Sequence, residues 1–347
     1  MTANPTRVLV AMSGGVDSSV AAALLRDAGH DVTGVTLKLW GGESDSGCCS
    51  AADVEDARRV AAQLDIAHYV FNFADEFDSR VVGPYVDSYA DGRTPNPCVE
   101  CNRSIKFGRL LERADALGFG AVATGHHARV SRDATGRWQL LRGSDLAKDQ
   151  SYVLYMLGQP ELGRTLLPVG ELTKAQVREH ASSLGLRTAA KPESMDVCFI
   201  TRGGREEFVA ARAGASPGAV VDADDGATIG GHDGVSAFTI GQRRGVGVAT
   251  GERRYVVDLD AATATVTLGR RDDLLRDAVE LRDLCFVDGA PWSADRLDVQ
   301  VRAHGAPVQG RLDGPCVRFE RRQPRVAPGQ VVAFYAGDTL LGGGIAT

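Results

Sequence analysis

The sequence predicts an α/β fold: a doubly wound parallel sheet in the N-terminal part, a small β-rich central domain, and a C-terminal antiparallel β-barrel. Three observations predict it. Short apolar runs alternate with helix-period segments over the first part of the chain, the pattern of a parallel sheet covered by helices. After Phe208 glycine becomes frequent and short runs alternate apolar with polar residues, as half-buried antiparallel strands do. The 347 residues, 44% hydrophobic and 24% charged, supply core for two or three globular domains. The changes of texture place boundaries at 1–207, 208–274 and 275–347.

The elements follow in order. Residues 8–12 (VLVAM) form an apolar run suited to a buried strand, and 16–25 read as a helix with Val16, Val20, Ala23 and Leu24 near one face. Residues 31–39 and 67–73 read as strands, 51–64 and 105–117 as helices, and 121–124 as a short strand ending at GHH. A further helix spans 173–184, N-capped by Thr173 or a neighbour. Beyond it, VSAFTIG, RYVVDLD, TATVTLG, LDVQVRA, PCVRFE and QVVAFYAG read as strands, with a connecting segment at 271–282 between the two β-rich parts. The start of the chain lacks the apolar core of a signal peptide, and no stretch approaches a membrane span. A cytoplasmic monomer with no membrane contact is expected. Seven cysteines, an odd number without an export signal, favour thiol chemistry over a disulfide framework. The net charge of −6 counts against bulk attraction to nucleic acid, so a polyanion requires local patches. One candidate patch has Arg93, Arg103, Lys106, Arg109 and Arg113 against Glu100 and Glu112; a solvated helix face accounts for it equally well.

Between the first strand and the first helix lies SGGVDSS (13–19). Adjacent glycines let a ligand approach the main chain, and the N–H groups opening a helix favour an anion. A simple turn needs Gly14 and Gly15 but has no use for Ser13, Asp17 and Ser18 around them. The stretch lacks the GK[ST] ending of a Walker A loop and the GxGxxG of a dinucleotide fingerprint. It resembles the pyrophosphate loop of ATP pyrophosphatases, which implies cleavage of ATP between its α and β phosphates.

Two cysteine segments carry the second signal. TPNPCVECNRSIKFG places Cys98 and Cys101 as CxxC before a basic helix, a setting that favours thiolate. Pro95 and Pro97 are expected to keep their own stretch out of a helix. Cys198, in DVCFI, is flanked by apolar residues and is compatible with a buried structural cysteine. Cys285 and Cys316 sit in strand-like core contexts, while Cys48 and Cys49 lie in a loop. Structural zinc would need a second pair at matching spacing, which the sequence lacks. His126 and His127 are adjacent and make a poor metal pair.

SGGVDSS, TPNPCVECNRSIKFG, ATGHHARV, KDQSYVLY, DVCFI, FTIGQRRG and PGQVVAFYAGDTLLGGG, in that order, resemble the tRNA-specific 2-thiouridylases over nearly the whole chain. The resemblance implies that 1–207 is an ATP-pyrophosphatase domain. It implies replacement of the C2 oxygen of the wobble uridine of certain tRNAs by sulfur: ATP adenylates that oxygen, and persulfide sulfur displaces AMP. Carried over by position, Ala11, Met12, Ser13, Gly14, Gly15, Val16, Asp17 and Ser18 hold ATP, with Leu37 and Gly125 beside the adenosine. Cys101 is the nucleophile and Cys198 the persulfide carrier, the two forming a disulfide once sulfur leaves. Asn96, Pro97 and Cys98 contact the base, and His126, Lys148, Asp149, Gln150, Arg302 and Gln330 touch tRNA. Mg²⁺ is expected with the triphosphate, and a persulfide-bearing protein is expected to donate sulfur. Some relatives carry Asp in place of Cys98, TGHH replaces a more usual TGHY, and Ala303 follows Arg302 where an aromatic residue often sits. With Cys98, Cys101 and Cys198 the same residues permit an alternative, an iron–sulfur cluster with one open iron. The rivals are a ligase of the same loop class, which leaves the two cysteines unexplained, and a nucleotide- or metal-binding regulator without chemistry.

Overall fold

The computed structural model describes residues 6–40, 50–192, 197–200, 204–249, 251–292, 296–303 and 305–347. Cys48 and Cys49 lie outside them. In the N-terminal part, strand β1 (Arg7–Ala11) buries Val8, Leu9 and Val10 completely. It pairs in parallel with β2 (Asp31–Lys38), and β2 pairs in parallel with β3 (Ala67–Asn72). Strand β4 (Ala121–Ala123) lies on the other side of β1. The chain then leaves this sheet for a hairpin, β5 (Ala128–Arg132) and β6 (Trp138–Arg142), and returns in the two-residue β7 (Thr165–Leu166) beside β4. The strand order is β3-β2-β1-β4-β7. Helices α1 (Val16–Asp27) and α2 (Ala51–Gln63) follow β1 and β2. Ser50 and Asp53 form a reciprocal capping box at the start of α2, satisfying two otherwise orphaned donors. Continuous helical runs at 74–90 (α3) and 97–116 (α4) follow, then α5 (Lys174–Ser183) and α6 (Gly204–Ala213). The predicted doubly wound architecture is the one observed.

Helix α4 begins earlier than the residue pattern at 105 suggests. Pro97 does not exclude helix; it occupies the first helical position, where its missing N–H costs nothing. Asn96 caps the helix by accepting from the Cys98 N–H at 3.1 Å. The stretch Cys101–Arg109 runs in wider π turns, which blurs the 3.6-residue period on which helix recognition depends.

The central part is a four-stranded sheet ordered β10-β11-β8-β9, formed by β8 (Gly218–Asp222), β9 (Thr228–His232), β10 (Tyr255–Asp260) and β11 (Thr265–Gly269). The expected antiparallel pairing holds except between β11 and β8, which are parallel. VSAFTIG is not a strand: Val235–Ala237 form a 3₁₀ turn, and Val235, Phe238 and Ile240 drop into the central apolar cluster. The expected connector at 271–282 is shorter, a turn at Arg271–Leu274, because β12 (Leu275–Phe286) starts directly after it and buries Val279 and Leu281 between charged neighbours.

Strands β12, β13 (Leu297–Gln300), β14 (Val308–Asp313), β15 (Cys316–Pro324), β16 (Val331–Ala336) and β17 (Thr339–Ala346) run in the order β12-β15-β14-β13-β16-β17. Pairing of β12 with β17 closes the six-stranded antiparallel barrel, so no edge is left open. The hairpin β5–β6 attaches to this barrel through β17, with Leu140 opposite Leu340 and Leu141 opposite Thr339. Segment 327–330 of the barrel rests on the approach to α4: Thr94 N–H donates to Pro328 O at 2.6 Å, and Gln330 Nε2 donates to Thr94 O at 2.7 Å. Among the described residues no helix is long and apolar enough to cross a membrane.

Candidate active site

The loop 13–19 occupies the carboxyl end of β1, where ligands bind in sheets of this kind. Gly14 has φ +74°, and a Cβ there would drive into the Asp53 carbonyl. Only glycine fits. Gly15 is the N-cap of α1 and no side chain caps it, which leaves the helix N-terminus open to an anion. The serines are spent on shape: Ser18 Oγ accepts from the Ser13 N–H at 3.2 Å, and Ser19 Oγ donates to Gly15 O at 2.7 Å. Gly125 closes against the loop, since a Cβ would stand 2.6 Å from Ser18 N. Ala11 and Met12 form the floor, with Met12 N–H donating to Val35 O at 2.8 Å; Leu37 lies buried near the end of β2.

Asp17 carries the electrostatics of the loop. Lys174 Nζ lies 2.7 Å from both of its carboxylate oxygens, and His127 Nε2 lies 3.1 Å from Oδ1. Burial pushes the Asp17 carboxyl up, but the hydrogen bonds from His127 and Lys174 and the Lys174 charge outweigh it and hold the group below the usual carboxylate range. Lys191 Nζ ties the loop to α2, donating to Gly14 O, Asp53 Oδ1 and Asp56 Oδ2 at 3.0, 2.7 and 2.8 Å. Sequence reasoning singled out neither lysine, and it gave His127 no role. Lys174 did leave a signal: a cation in the first turn of a helix runs against the helix dipole, so it is placed there for some other charge.

The cysteines fall into two settings. Cys98 is exposed on the first turn of α4 beside Asn96 and Pro97. Cys101 is buried in the main core cluster, and Val197 and Cys198 pack against that same cluster. Phe199 anchors the second segment by edge contacts to Phe77 and Tyr85, with centroids at 5.7 and 5.1 Å. Helix α4 abuts the cradle through Phe107, whose ring lies 6.0 Å from that of His126. The basic run from Arg93 into α4 is largely paired locally: Arg93 with Asp91, Arg103 with Glu100, and Arg109 with Glu76 and Glu112. Among the described residues no three His, Cys, Asp or Glu side chains come together as a metal-holding group. Cys98, Cys101 and Cys198 as placed here therefore do not fit an iron–sulfur cluster.

The residues matched to tRNA contact are dispersed. His126 is buried, with Nδ1 2.7 Å from Thr124 Oγ1; burial, the Lys106 charge and His127 hold its imidazole well below the usual histidine range. Asp149 is buried too, and accepts from Arg142, the Gly143 and Ser151 N–H groups and Ser151 Oγ. Gln150 and Arg302 are exposed. Lys148 and Gln330 are half-buried, the latter bridging the barrel to Thr94.

A parallel-sheet domain with an anion cradle, joined to two β domains, defines the class: a nucleotide-dependent enzyme with appended β modules. Family profiles described as tRNA methyl transferase HUP domain, tRNA methyl transferase PRC-barrel domain and Aminomethyltransferase beta-barrel domain match residues 6–202, 206–270 and 276–346. The chain is 50% identical to a tRNA-specific 2-thiouridylase of Chloroflexus aggregans, covering 97% of both chains. It is 45% identical to another from Geotalea uraniireducens, covering 97% of this chain and 94% of that one. Among solved structures, a U34-tRNA thiolase from Methanococcus maripaludis aligns over 60% of this chain and 65% of its own, at 18% identity and a TM-score of 0.38. The chain belongs to the tRNA-specific 2-thiouridylase family.

Proposed function

We propose that this enzyme converts the wobble uridine, position 34, of tRNA to 2-thiouridine in two stages, consuming ATP and releasing AMP and pyrophosphate. In the first stage the cradle at 11–18 holds the triphosphate, with Leu37 and Gly125 beside the adenosine. The glycine main chain and open N-terminus of α1 bind the leaving pyrophosphate, while the uridine C2 oxygen attacks the α phosphorus. Mg²⁺ enters with the triphosphate as part of the substrate. Adenylation turns a poor leaving oxygen into a good one.

In the second stage the terminal sulfur of a persulfide on Cys198 attacks C2 and AMP departs. The Cys101 thiolate then attacks Cys198 Sγ. This releases the sulfur on C2 as the thiocarbonyl and leaves a Cys101–Cys198 disulfide, which an external thiol reductant must reopen. A persulfide-bearing protein supplies the sulfur. Asn96, Pro97 and Cys98 meet the base at the mouth of α4, and the exposed Arg302 and Gln150 with Lys148 meet the tRNA backbone.

One observation carries this proposal: Cys101 and Cys198, far apart in sequence, share one apolar cluster, and the helix bearing Cys101 packs against the TGHH segment beside the cradle. The test is mass analysis of tRNA nucleosides after incubation with ATP, Mg²⁺ and a sulfur donor. Cys198→Ser should lose both persulfide labelling and 2-thiouridine. Cys101→Ser should still accept labelled sulfur yet pass none on. Normal thiolation by both variants would sink the scheme.

A further inference from the structure

We propose that His127 is the positioning residue through which tRNA seated on segment 148–150 acts on the phosphate cradle. This rests on the proposal above that Lys148 and Gln150 meet tRNA. The main chain of His127 is clamped at both polar groups by Gln150: its N–H donates to Gln150 Oε1 at 3.0 Å, and its carbonyl accepts from the Gln150 N–H at 2.9 Å. Gly143 closes on the same carbonyl, since a Cβ there would stand 2.6 Å from His127 O. His127 therefore cannot shift unless Gln150 shifts with it.

The side chain points the other way. It is 3% exposed, and Nε2 donates to Asp17 Oδ1 at 3.1 Å. Nδ1 is buried without a hydrogen-bond partner among the described residues. An ionised carboxylate can only accept, so the ring nitrogen facing Asp17, Nε2, carries a proton and donates it. One imidazole thus joins the outer segment to the acidic group in the loop.

The connection continues outward. Asp149, next to Gln150, accepts from Arg142 Nη1 at 2.9 Å; Arg142 Nη1 also donates to Gln300 Oε1 at 2.6 Å. The Gln300 amide in turn donates to Ala303 O at 3.1 Å, spanning Arg302. A hydrogen-bonded series therefore runs from the barrel beside Arg302 to Asp17. Contiguity alone does not establish coupling. The physical reason for coupling lies at Asp17, a carboxylate inside an anion cradle. Phosphate binds only while His127 and Lys174 offset that charge, so a shift of Gln150 changes the offset.

The test measures the affinity of a non-hydrolysable ATP analogue with and without an unmodified tRNA transcript. Coupling between two sites is reciprocal and typically changes affinity roughly 5–150-fold. In the unmodified enzyme tRNA should tighten analogue binding about tenfold. In His127→Phe the ratio should fall close to one, while the affinity for tRNA alone stays as it was. His127→Gln, whose amide can still donate to Asp17, should keep most of the ratio. Gln150→Ala removes the side-chain half of the clamp, the Oε1 contact to the His127 N–H, without touching the imidazole; measured at saturating tRNA, so that a weaker tRNA contact does not enter, it should also lower the ratio, which decides the matter if His127→Phe does not fold. A purely structural role predicts instead that the melting temperature and both affinities fall together with the ratio unchanged. An unchanged ratio in Gln150→Ala or folded His127→Phe, or no tRNA effect in the unmodified enzyme, overturns the inference and leaves tRNA thiolation standing. Failure to bind tRNA at all overturns both.

Discussion

Replacing Lys174 by methionine tests whether Asp17 must be neutralised for the cradle to exist. Lys174 Nζ is 2.7 Å from both Asp17 oxygens, and the two side chains are 14% and 29% exposed. Breaking a fully buried pair by removing one partner costs about 3–5 kcal/mol, whereas exposed pairs are worth roughly 0–1 kcal/mol. This pair lies between, and His127 remains as a second donor, so the loss should be about 2 kcal/mol. For a domain of this size that is a drop in melting temperature of about 4–8 °C. Binding should suffer further, because an uncompensated carboxylate then faces the phosphates: analogue affinity should fall at least about tenfold, or about 1.4 kcal/mol. Lys174→Met combined with Asp17→Asn removes the stranded charge, so it should melt higher than Lys174→Met alone and recover part of the affinity. Thermal melts and analogue titrations of the four proteins in the cycle measure the coupling directly. Equal melting and equal binding in Lys174→Met, or strict additivity in the double variant, would refute the reasoning.

Three further outcomes are expected. Gly125→Ala would place a Cβ 2.6 Å from Ser18 N and 2.8 Å from the Asp17 carbonyl carbon; main chain must move, at a cost of about 1–3 kcal/mol, and calorimetry should show weakened analogue binding, with normal affinity counting against the close approach. Gln330→Ala loses the bond to Thr94 O and should cost about 1 kcal/mol while speeding hydrogen exchange at 94–98; unchanged exchange would remove the barrel's claim on that approach. His126 is held neutral, its folded pKa well below the unfolded value, so the unfolded chain binds the extra proton as pH drops. Stability should therefore decline from near pH 6.5 downward; His126→Asn should flatten that part of the melting profile, and an unaltered slope would locate the titration elsewhere.

Much of this architecture was legible because local chemistry agrees with the fold. VLVAM followed by SGGVDSS can hardly be other than a strand turning into a helix through a main-chain cradle, and LDVQVRA, PCVRFE and QVVAFYAG read as strands where β13, β15 and β16 lie. What escaped recognition depends on partners distant in sequence. Lys174 and Lys191 are ordinary basic residues until the fold brings them to Asp17 and to Gly14 with Asp53. Asp149 sits in a segment matched to tRNA contact, yet its carboxylate is enclosed by Arg142, Gly143 and Ser151, a role set by tertiary neighbours. Pro97 reads as a helix breaker because a proline at the first helical position and one between helices look alike without the Asn96 cap. VSAFTIG has the composition of a strand, but Phe238 and Ile240 serve a cluster to which they contribute without pairing.

The path of the chain after Gly125 explains why the cradle and the barrel should act together. Strand β4 ends at Ala123, the TGHH turn follows, and by Ala128 the chain has entered β5 of a hairpin whose other strand pairs with β17. Only Thr124, Gly125, His126 and His127 separate the parallel sheet from this extension of the barrel. Gly125 lies against Ser18, His126 against Phe107 of the helix bearing Cys101, and His127 against Asp17. A displacement of the barrel would be transmitted to those four residues, since the hairpin is held to β17 at one end and the turn is held to the cradle at the other. The covalent connection is thus shorter than the hydrogen-bonded one through Arg142 and Gln300, and the two converge on His127. That convergence is a physical reason for testing His127 first.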